Sequence, residues 1–163
     1  MANWCEGNIR LRGTKENIKK FLDNEIVYIT GGFDNYVENK PEKEETEYEY
    51  LLRLPAGSYE SFYIRNTYRN FFFTNQIEIC WPDAEQDEEI IVCIDDFNSA
   101  WSLKEEGWAN HAKKYGIDIR MFGFERGMEF SQEMTITRHG NVETKTNNYQ
   151  DWDWECPFPN LRG

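Results

Sequence analysis

The sequence predicts an α+β fold in which two helices cover one face of an antiparallel sheet. Strand-like alternation of apolar residues recurs along most of the 163-residue chain, and only two stretches combine helical periodicity with start and stop signals. The order is strand, helix, strands, helix, strands, without the regular βα alternation of a parallel sheet. The length suits one domain, and we expect residues 1–163 to form a single one.

The first strand and the first helix have the clearest local signals. Ile9 and Leu11 alternate with polar residues, which predicts a strand over residues 8–12. Thr14 is a favoured N-cap residue, and we expect a helix from there to about residue 24. The apolar stripe of this helix consists of Ile18, Phe21 and Leu22.

The middle of the chain is predicted to be mostly β. Residues 34–46 are polar and contain Pro41, and we interpret them as a solvated insertion. Residues 70–81 are rich in aromatic and β-prone residues and predict a strand. Residues 90–95 form a nearly continuous apolar run, which is typical of a central strand covered on both faces.

The second helix is predicted from a capping box. Ser102 and Glu105 have the S-x-x-E spacing, and Gly116 is a natural C-terminal stop. Two strands are expected after it, followed by a hairpin turn at residues 139–141 and a return strand. The aromatic, proline-containing tail, residues 150–163, is expected to be irregular and held to the body by its rings. The simplest fold with this order is a βαββαβ ferredoxin-like core with extra strands.

Charge and composition limit the classes of partner. With 18 basic and 30 acidic residues the net charge is −12, which argues against general binding to phosphate backbones and to anionic membranes. The charge fits plain solubility or a partner with a basic face. The 11 Phe, 9 Tyr and 6 Trp are many for one small core, so we expect exposed rings. No run resembles a signal peptide or a membrane span of about 20 residues, and we expect a cytoplasmic protein without membrane contact.

The cysteines and histidines give little support for a metal site. The four cysteines form no CxxC pair. They are Cys5, Cys80, Cys93 and Cys156. The middle two lie in strand-like runs and are expected in the core. A zinc site could combine the outer two with His111 and His139, but separate thiols and surface histidines are the favoured interpretation. We predict no metal and no cofactor.

No catalytic motif is recognisable. Asp95 and Asp96 could serve in acid–base chemistry, but neighbours along a strand point to opposite faces, so a turn or capping role is favoured. The two histidines are not placed for a triad, and no Gly-rich phosphate loop opens a helix. The sequence therefore predicts no catalytic residues and a protein that is not an enzyme.

Aromatic segments provide the candidate binding surface. Residues 63–73 place arginines among rings, a pattern that binds single-stranded nucleic acids, although a core strand with two exposed arginines is the simpler interpretation. Residues 151–155 alternate acids with tryptophans, which favours an acidic docking surface over a Mg²⁺ or Ca²⁺ site because EF-hand spacing is missing. The candidate binding residues are Arg65, Tyr68, Arg69, Trp101, Asp151, Trp152, Asp153 and Trp154.

Acidic runs offer a different docking surface. Carboxylates recur at positions 38, 42, 44, 45, 47 and 49 and through residues 83–89. Such spacing could imitate the phosphates of a nucleic acid toward a basic protein, whereas a solvated loop is the simpler interpretation.

Several short motifs are shared with a known family. They are Met1-Ala2-Asn3-Trp4-Cys5, Ala100-Trp101-Ser102 and Arg126-Gly127-Met128-Glu129-Phe130. Together they resemble the YubB-like ferredoxin-fold family of small plasmid, phage and mobile-element proteins. Residues 65–71 and 151–159 also look like segments of relatives in low-GC Gram-positive bacteria, whereas residues 25–54 have no clear counterpart. The resemblance implies a ferredoxin-like fold and a mobile-element setting, but no activity, because the family has no settled catalytic or ligand residues.

The leading hypothesis is a non-enzymatic accessory protein that binds a host or element protein through an acidic surface. The alternative is a single-stranded nucleic-acid-binding module that uses Arg65, Arg69 and the nearby rings.

Overall fold

The computed structural model describes residues 3–32, 34–58 and 60–158, which contain twelve strands and three helices. The strands are β1 (Trp4–Thr14), β2 (Ile26–Thr30), β3 (Val37–Asn39), β4 (Glu42–Glu45), β5 (Glu49–Arg53), β6 (Phe62–Ile64), β7 (Asn70–Phe72), β8 (Gln76–Cys80), β9 (Glu89–Ala100), β10 (Asp118–Glu125), β11 (Phe130–Ile136) and β12 (Val142–Asn148). The helices are α1 (Lys15–Glu25), α2 (Trp108–Tyr115) and α3 (Trp152–Glu155).

Nine strands form one large antiparallel sheet, in the order β12-β11-β10-β1-β9-β7-β6-β2-β3, and β4-β5-β8 form a small one. Strand β1 lies near the centre, between β9 and β10. Its register with β9 shifts between Gly7 and Ile9, which is a β-bulge. The bulge bends the strands locally and changes the direction of the side chains that follow it.

The large sheet has two different faces. Ile90, Val92 and Ile94 of β9 are buried, whereas Ile91, Cys93 and Asp95 between them are exposed. The helices α1 and α2 and the small sheet share one hydrophobic core with the buried set, and we call this the covered face. The exposed set lies on the opposite, open face. The predicted covering of residues 90–95 on both sides is therefore wrong, because apolar identity alone does not show which faces are covered.

Helix α1 forms as its local sequence predicts. Thr14 Oγ1 accepts a hydrogen bond from the backbone N–H of Asn17 at 3.2 Å, which confirms the predicted N-cap. The predicted stripe of apolar residues is buried. Its Phe21 packs against Trp108 of α2 with ring centroids 6.5 Å apart, so the two helices meet on the covered face.

A buried carboxylate links the end of α1 to α2. Glu25 is 1% exposed and accepts hydrogen bonds from the Tyr115 hydroxyl at 2.6 Å and from Lys114 Nζ at 3.1 Å. Burial alone would raise the pKa of Glu25, but these two hydrogen bonds outweigh burial and lower the pKa. The predicted surface position of His111 is wrong, because it is 3% exposed and its Nε2 donates to the Arg65 carbonyl oxygen at 2.7 Å.

The predicted ferredoxin-like α+β fold is wrong, because 47% of the chain is strand and 15% is helical. The physical reason is the size of the sheet. The 11 residues of α1 give a helix about 16 Å long, whereas nine strands about 4.8 Å apart span roughly 38 Å. Two short helices cannot cover such a sheet, and the small sheet buries part of the remaining apolar surface. The fold is mainly β.

Two further expectations differ from the structure. Residues 34–46, predicted to be a solvated insertion, contain β3 and β4, which are largely exposed. The second helix begins at Trp108 instead of Ser102, after Gly107 in the left-handed region at φ 84°. Leu103 explains the difference, since it is buried and its N–H donates to the side-chain oxygen of Gln132 at 2.9 Å, which holds the segment as a loop against β11.

The tail contains a short helix where an irregular segment was predicted. Asp151 caps α3 by accepting a hydrogen bond from the Trp154 N–H at 3.3 Å. Trp152 is 3% exposed and packs on Phe124 of the open face, with ring centroids 6.0 Å apart. The expectation that rings hold the tail to the body is confirmed for Trp152. Residues 159–163 of the predicted tail lie outside the described residues.

Candidate functional site

Four aromatic side chains form a continuous cluster on the open face, which we call the ring cluster. It consists of Trp4, Tyr63, Phe71 and Phe73. Trp4 meets Phe73 edge-on at 4.7 Å between centroids, and Phe71 contacts the other three rings at 5.4–5.8 Å. Phe73 is 40% exposed, so the cluster presents apolar surface to solvent. The Arg69 guanidinium lies 5.9 Å from the centre of the Trp4 ring, within cation–π range.

A groove of about 630 Å³ adjoins the ring cluster, and Phe73 belongs to both. Its carboxylates are Glu6 of β1 and Asp95 and Asp96 of β9. Its other lining residues include Asn8, Asn98, Phe73, Phe122 and Phe124. We call it the acidic groove, because its charged side chains are all carboxylates.

The three carboxylates of the acidic groove have no counterions. Within residues 3–32, 34–58 and 60–158, no lysine, arginine or histidine nitrogen lies within 4.0 Å of Glu6, Asp95 or Asp96. Burial raises the pKa of Glu6. The groove therefore carries negative charge on two exposed aspartates and on the half-buried Glu6.

Two amide oxygens in the groove also lack donors. Asn98 is 4% exposed, and its Nδ2 donates to the Asp96 carbonyl oxygen at 2.8 Å. Its Oδ1, like that of Asn8, is buried and has no hydrogen-bond partner in the described part of the chain. Unpartnered buried acceptors are rare in folded proteins, and these two lie behind the groove surface, where a ligand in the groove does not reach them.

The backbone of Asp96 explains how neighbouring aspartates reach one groove. Asp96 has φ 60°, in the left-handed region that aspartate tolerates better than most residues. The sequence-based expectation that Asp95 and Asp96 point to opposite faces assumes a regular strand. That expectation is wrong here, because both residues line the acidic groove beside the β-bulge.

Arginines occupy the neighbouring part of the open face. Arg10 of β1 lies directly opposite Arg120 of β10 in the strand register. A groove of about 480 Å³ separates them from the C-terminal segment, and we call it the arginine groove. It is lined by Asn8, Arg10, Arg120, Phe122, Tyr149 and Phe158, among others. The two grooves share Asn8 and Phe122 and are therefore neighbours on the open face.

The first predicted binding segment is only partly on this face. Arg69 joins the ring cluster, and Tyr68 is 47% exposed. Arg65 does not join it, because its Nε lies 2.7 Å from the Glu38 carboxylate and its Nη1 donates to the Asn24 carbonyl oxygen at 3.2 Å. Arg65 is thereby engaged in holding β6 near the end of α1.

The other predicted binding residues are scattered. Trp101 is 50% exposed at φ 71°, and its N–H donates to the Asn3 carbonyl oxygen at 2.8 Å, next to Trp4. Asp151 is the cap of α3, and Trp152 is a buried anchor instead of a surface residue. Asp153 lies 3.4 Å from Arg126, and Trp154 is 86% exposed. The tail therefore does not present one acid-and-ring surface.

The cysteines are distributed differently from the prediction. Cys80 and Cys93 are exposed, because both point outward from alternating strands, so their predicted core positions are wrong. Cys5 is buried in the core of the covered face, and Cys156 is buried with Phe124 on the open face. The sheet thus separates the two thiols. Among the described residues, no group of three or more His, Cys, Asp or Glu side chains is arranged to hold a metal ion.

Sequence reasoning missed Glu6, Arg10, Asn98 and Arg120. A weak signal existed for Arg10, since it alternates with Ile9 and Leu11 and must therefore face away from their core. No local signal existed for the others, because their meeting depends on the pairing of β1 with β9 and β10, which are far away in sequence.

Comparisons with known proteins give no identification: no family model matches the sequence, and neither a curated protein nor a solved structure matches it significantly. The resemblance to the YubB-like family therefore stays a prediction. No helix in the described part of the chain is long and apolar enough to cross a membrane.

Proposed function

We propose that this chain is a non-catalytic protein-binding module that takes a cationic segment of a partner protein in the acidic groove. The observation that carries the proposal is that three carboxylates without counterions lie beside a partly exposed ring cluster on an uncovered sheet face. An accessory role in a mobile element, as the family resemblance implies, and a cytoplasmic location are parts of the same proposal. The four free cysteines are compatible with a reducing compartment.

The chemistry of the groove favours lysine or arginine side chains. Its three carboxylates are acceptors, and ammonium and guanidinium groups are pure donors. Rings at the groove, Phe73 among them, can also attract a cation through their faces. The apolar ring cluster next to it would receive the aliphatic or aromatic neighbours of the cation in an extended partner segment.

The acidic run on β3 and β4 is less suitable for docking a basic partner. Glu38 pairs with Arg65, Glu44 pairs with Arg53, and Glu45 pairs with both Lys19 and Lys43. These ion pairs neutralise much of the charge that the sequence places there. The negative charge available to a partner is therefore more concentrated in the acidic groove than the sequence indicates.

Fluorescence anisotropy with a labelled peptide that alternates Arg and Leu tests the proposal. We expect the peptide to bind at low salt and weaken with added salt, and its Glu-for-Arg analogue not to bind. The double variant D95N/D96N should weaken binding about tenfold, which corresponds to about 1.4 kcal/mol. The matched control E42Q/E49Q removes two exposed carboxylates on the small sheet and should change affinity less than twofold. Equal losses in both double variants, or no binding at low salt, would refute the proposal.

A second candidate, single-stranded nucleic-acid binding by the ring cluster, is favoured by the position of Arg69 over Trp4. Exposed rings stack on bases and a nearby arginine contacts phosphate. Titration with a labelled oligonucleotide at low salt tests it, using Arg69→Gln as the variant. An affinity that is unchanged in this variant would exclude the ring cluster as the site.

A further inference from the structure

The arginine groove differs in charge from the neighbouring acidic groove, because its charged lining residues are two arginines and one carboxylate, Glu133. Arg10 and Arg120 face each other directly across β1 and β10, and like charges in this arrangement destabilise a sheet. In a protein with a net charge of −12, carboxylates are abundant, yet none lies within 4.0 Å of the Arg10 guanidinium in the described ranges. Arg120 has one carboxylate partner, Glu133, at 3.3 Å.

The remaining lining of the groove suits a flat, partly apolar ligand. Phe122 and Phe158 meet edge-on with centroids 5.8 Å apart, and the Tyr149 hydroxyl lies 2.8 Å from Ser131 Oγ. Asn8 and Asn147 lie along the same groove. The volume of about 480 Å³ is in the range of small-molecule sites.

We propose that the arginine groove binds a nucleotide, with Arg10 and Arg120 contacting the phosphate and the rings and amides contacting the base. Arginine forks match phosphate oxygens in a two-pronged geometry, and five donors on Arg120 are not exhausted by one contact with Glu133. Aromatic faces stack on any base, and asparagine amides pair with base edges. The nucleotide is either a free mononucleotide or one unit of a single strand, because both present the same phosphate and base.

The acidic character of the rest of the protein sets the conditions for this binding. The overall negative charge gives no long-range attraction for a nucleotide, so affinity depends on direct contacts inside the groove. Two phosphate-contacting arginines predict a modest dependence on salt, much smaller than that of a protein with a broad basic surface.

Isothermal titration calorimetry with the four nucleoside 5′-monophosphates, inorganic phosphate, adenosine and a deoxyadenosine tetranucleotide tests the inference. We expect at least one monophosphate or the tetranucleotide to bind, and phosphate and adenosine alone to bind at least tenfold more weakly. Binding of the monophosphate identifies a free nucleotide, and binding of the tetranucleotide alone identifies a single strand. No binding by either, or equal binding by inorganic phosphate, would overturn the inference.

Variants locate the site. Arg10→Gln should weaken binding about tenfold, and it leaves the fold intact because Arg10 is exposed and makes no ion pair within the described ranges. Arg53→Gln, on the small sheet, is the charge-matched control and should leave binding unchanged. The double variant D95N/D96N should leave nucleotide binding intact or strengthen it. Loss of nucleotide binding in Arg10→Gln is therefore distinguishable from loss of peptide binding in D95N/D96N. Equal effects of Arg10→Gln and Arg53→Gln would exclude the groove.

Discussion

The two faces of the large sheet differ in how their carboxylates are partnered. On the covered face, the buried carboxylate of Glu25 receives hydrogen bonds from Tyr115 and Lys114. On the open face, Glu6, Asp95 and Asp96 have no basic partner within 4.0 Å in the described part of the chain, and Asp95 accepts only a long hydrogen bond from the Cys93 thiol, at 4.0 Å. Both faces are built from the same strands, since side chains alternate along each strand. The comparison teaches that a fully buried carboxylate needs several donors, whereas the carboxylates of the acidic groove lie at the surface without a counterion.

Strand β1 shows this division within a few residues. Ile9 and Leu11 are buried in the core and at most 1% exposed. Asn8 and Arg10, which alternate with them along the strand, line the grooves on the open face. A one-residue shift in register would exchange the two sets. The open face therefore keeps polar and charged residues without loss of core stability.

Replacing one aromatic residue on each face should give the largest difference in the free energy of unfolding. Trp108 is fully buried between Phe21 and Phe97, and Trp108→Ala should lower the free energy of unfolding by about 4 kcal/mol. Phe73 on the open face is 40% exposed, and Phe73→Ala should lower it by about 1 kcal/mol or less. Urea unfolding followed by circular dichroism measures both. Similar losses of unfolding free energy in the two variants would contradict the expected difference between the covered face and the open face.

The pH dependence of stability distinguishes a carboxylate that accepts several hydrogen bonds from arginines from one that has a single exposed partner. Hydrogen bonds from Arg138 hold the pKa of Asp118 at about 2, below the ordinary value of 3.8. Because the pKa is lower in the folded state, this contribution is fully present above about pH 4 and is lost as the pH falls toward 2. After allowance for solvent screening we expect about 1 kcal/mol.

Urea unfolding of the wild type and of Asp118→Asn at pH 5 and near pH 2 measures this contribution. The variant should be less stable at pH 5 and should lose less stability than the wild type on acidification. Asp153→Asn, whose carboxylate has an exposed partner in Arg126, is the control and should resemble the wild type. An identical acid response in all three proteins would show that Asp118 makes no such contribution.

The smallest expected effect is the most informative about the open face. The double variant D95N/D96N should change the free energy of unfolding by less than about 0.5 kcal/mol, because neither carboxylate is in an ion pair within the described ranges and asparagine tolerates the φ of 60° at position 96. Thermal and urea unfolding measure the change. A loss above about 1.5 kcal/mol would show that these aspartates stabilise the fold, and their role as a free binding surface would be wrong.

Local signals account for what the sequence predicted correctly. Helix α1 was predictable because the Thr14 cap and its apolar stripe lie within eleven residues of each other. The fold class was not predictable, because it depends on strands that pair although they are far apart in sequence. Strands β5 and β8, for example, are separated by more than twenty residues. The capping-box signal at Ser102 was overridden when Leu103 entered the core.

The candidate site was even less predictable than the fold. Its residues lie on the three neighbouring strands β9, β1 and β10. These strands are far apart in sequence and become neighbours only when the sheet forms. Asp96 reaches the groove through a left-handed backbone conformation that sequence alone does not indicate for an aspartate inside an apolar strand. Of the ring cluster and the arginine that contacts it, only Arg69 was among the predicted binding residues, because the favoured interpretation of residues 63–73 was a core strand with two exposed arginines.

The four thiols lie at different depths, so their reactivity reports which parts of the molecule open. Cys80 and Cys93 are exposed and will react with a thiol reagent in the native state. Cys156 belongs to the C-terminal segment and is buried with Phe124 and Trp152, so it becomes reactive when that segment lifts away from the sheet. Cys5, whose pKa burial raises to about 12, reacts only when the whole sheet comes apart. Labelling over time, read by mass spectrometry, therefore separates local detachment of the tail from global unfolding without any engineered cysteine.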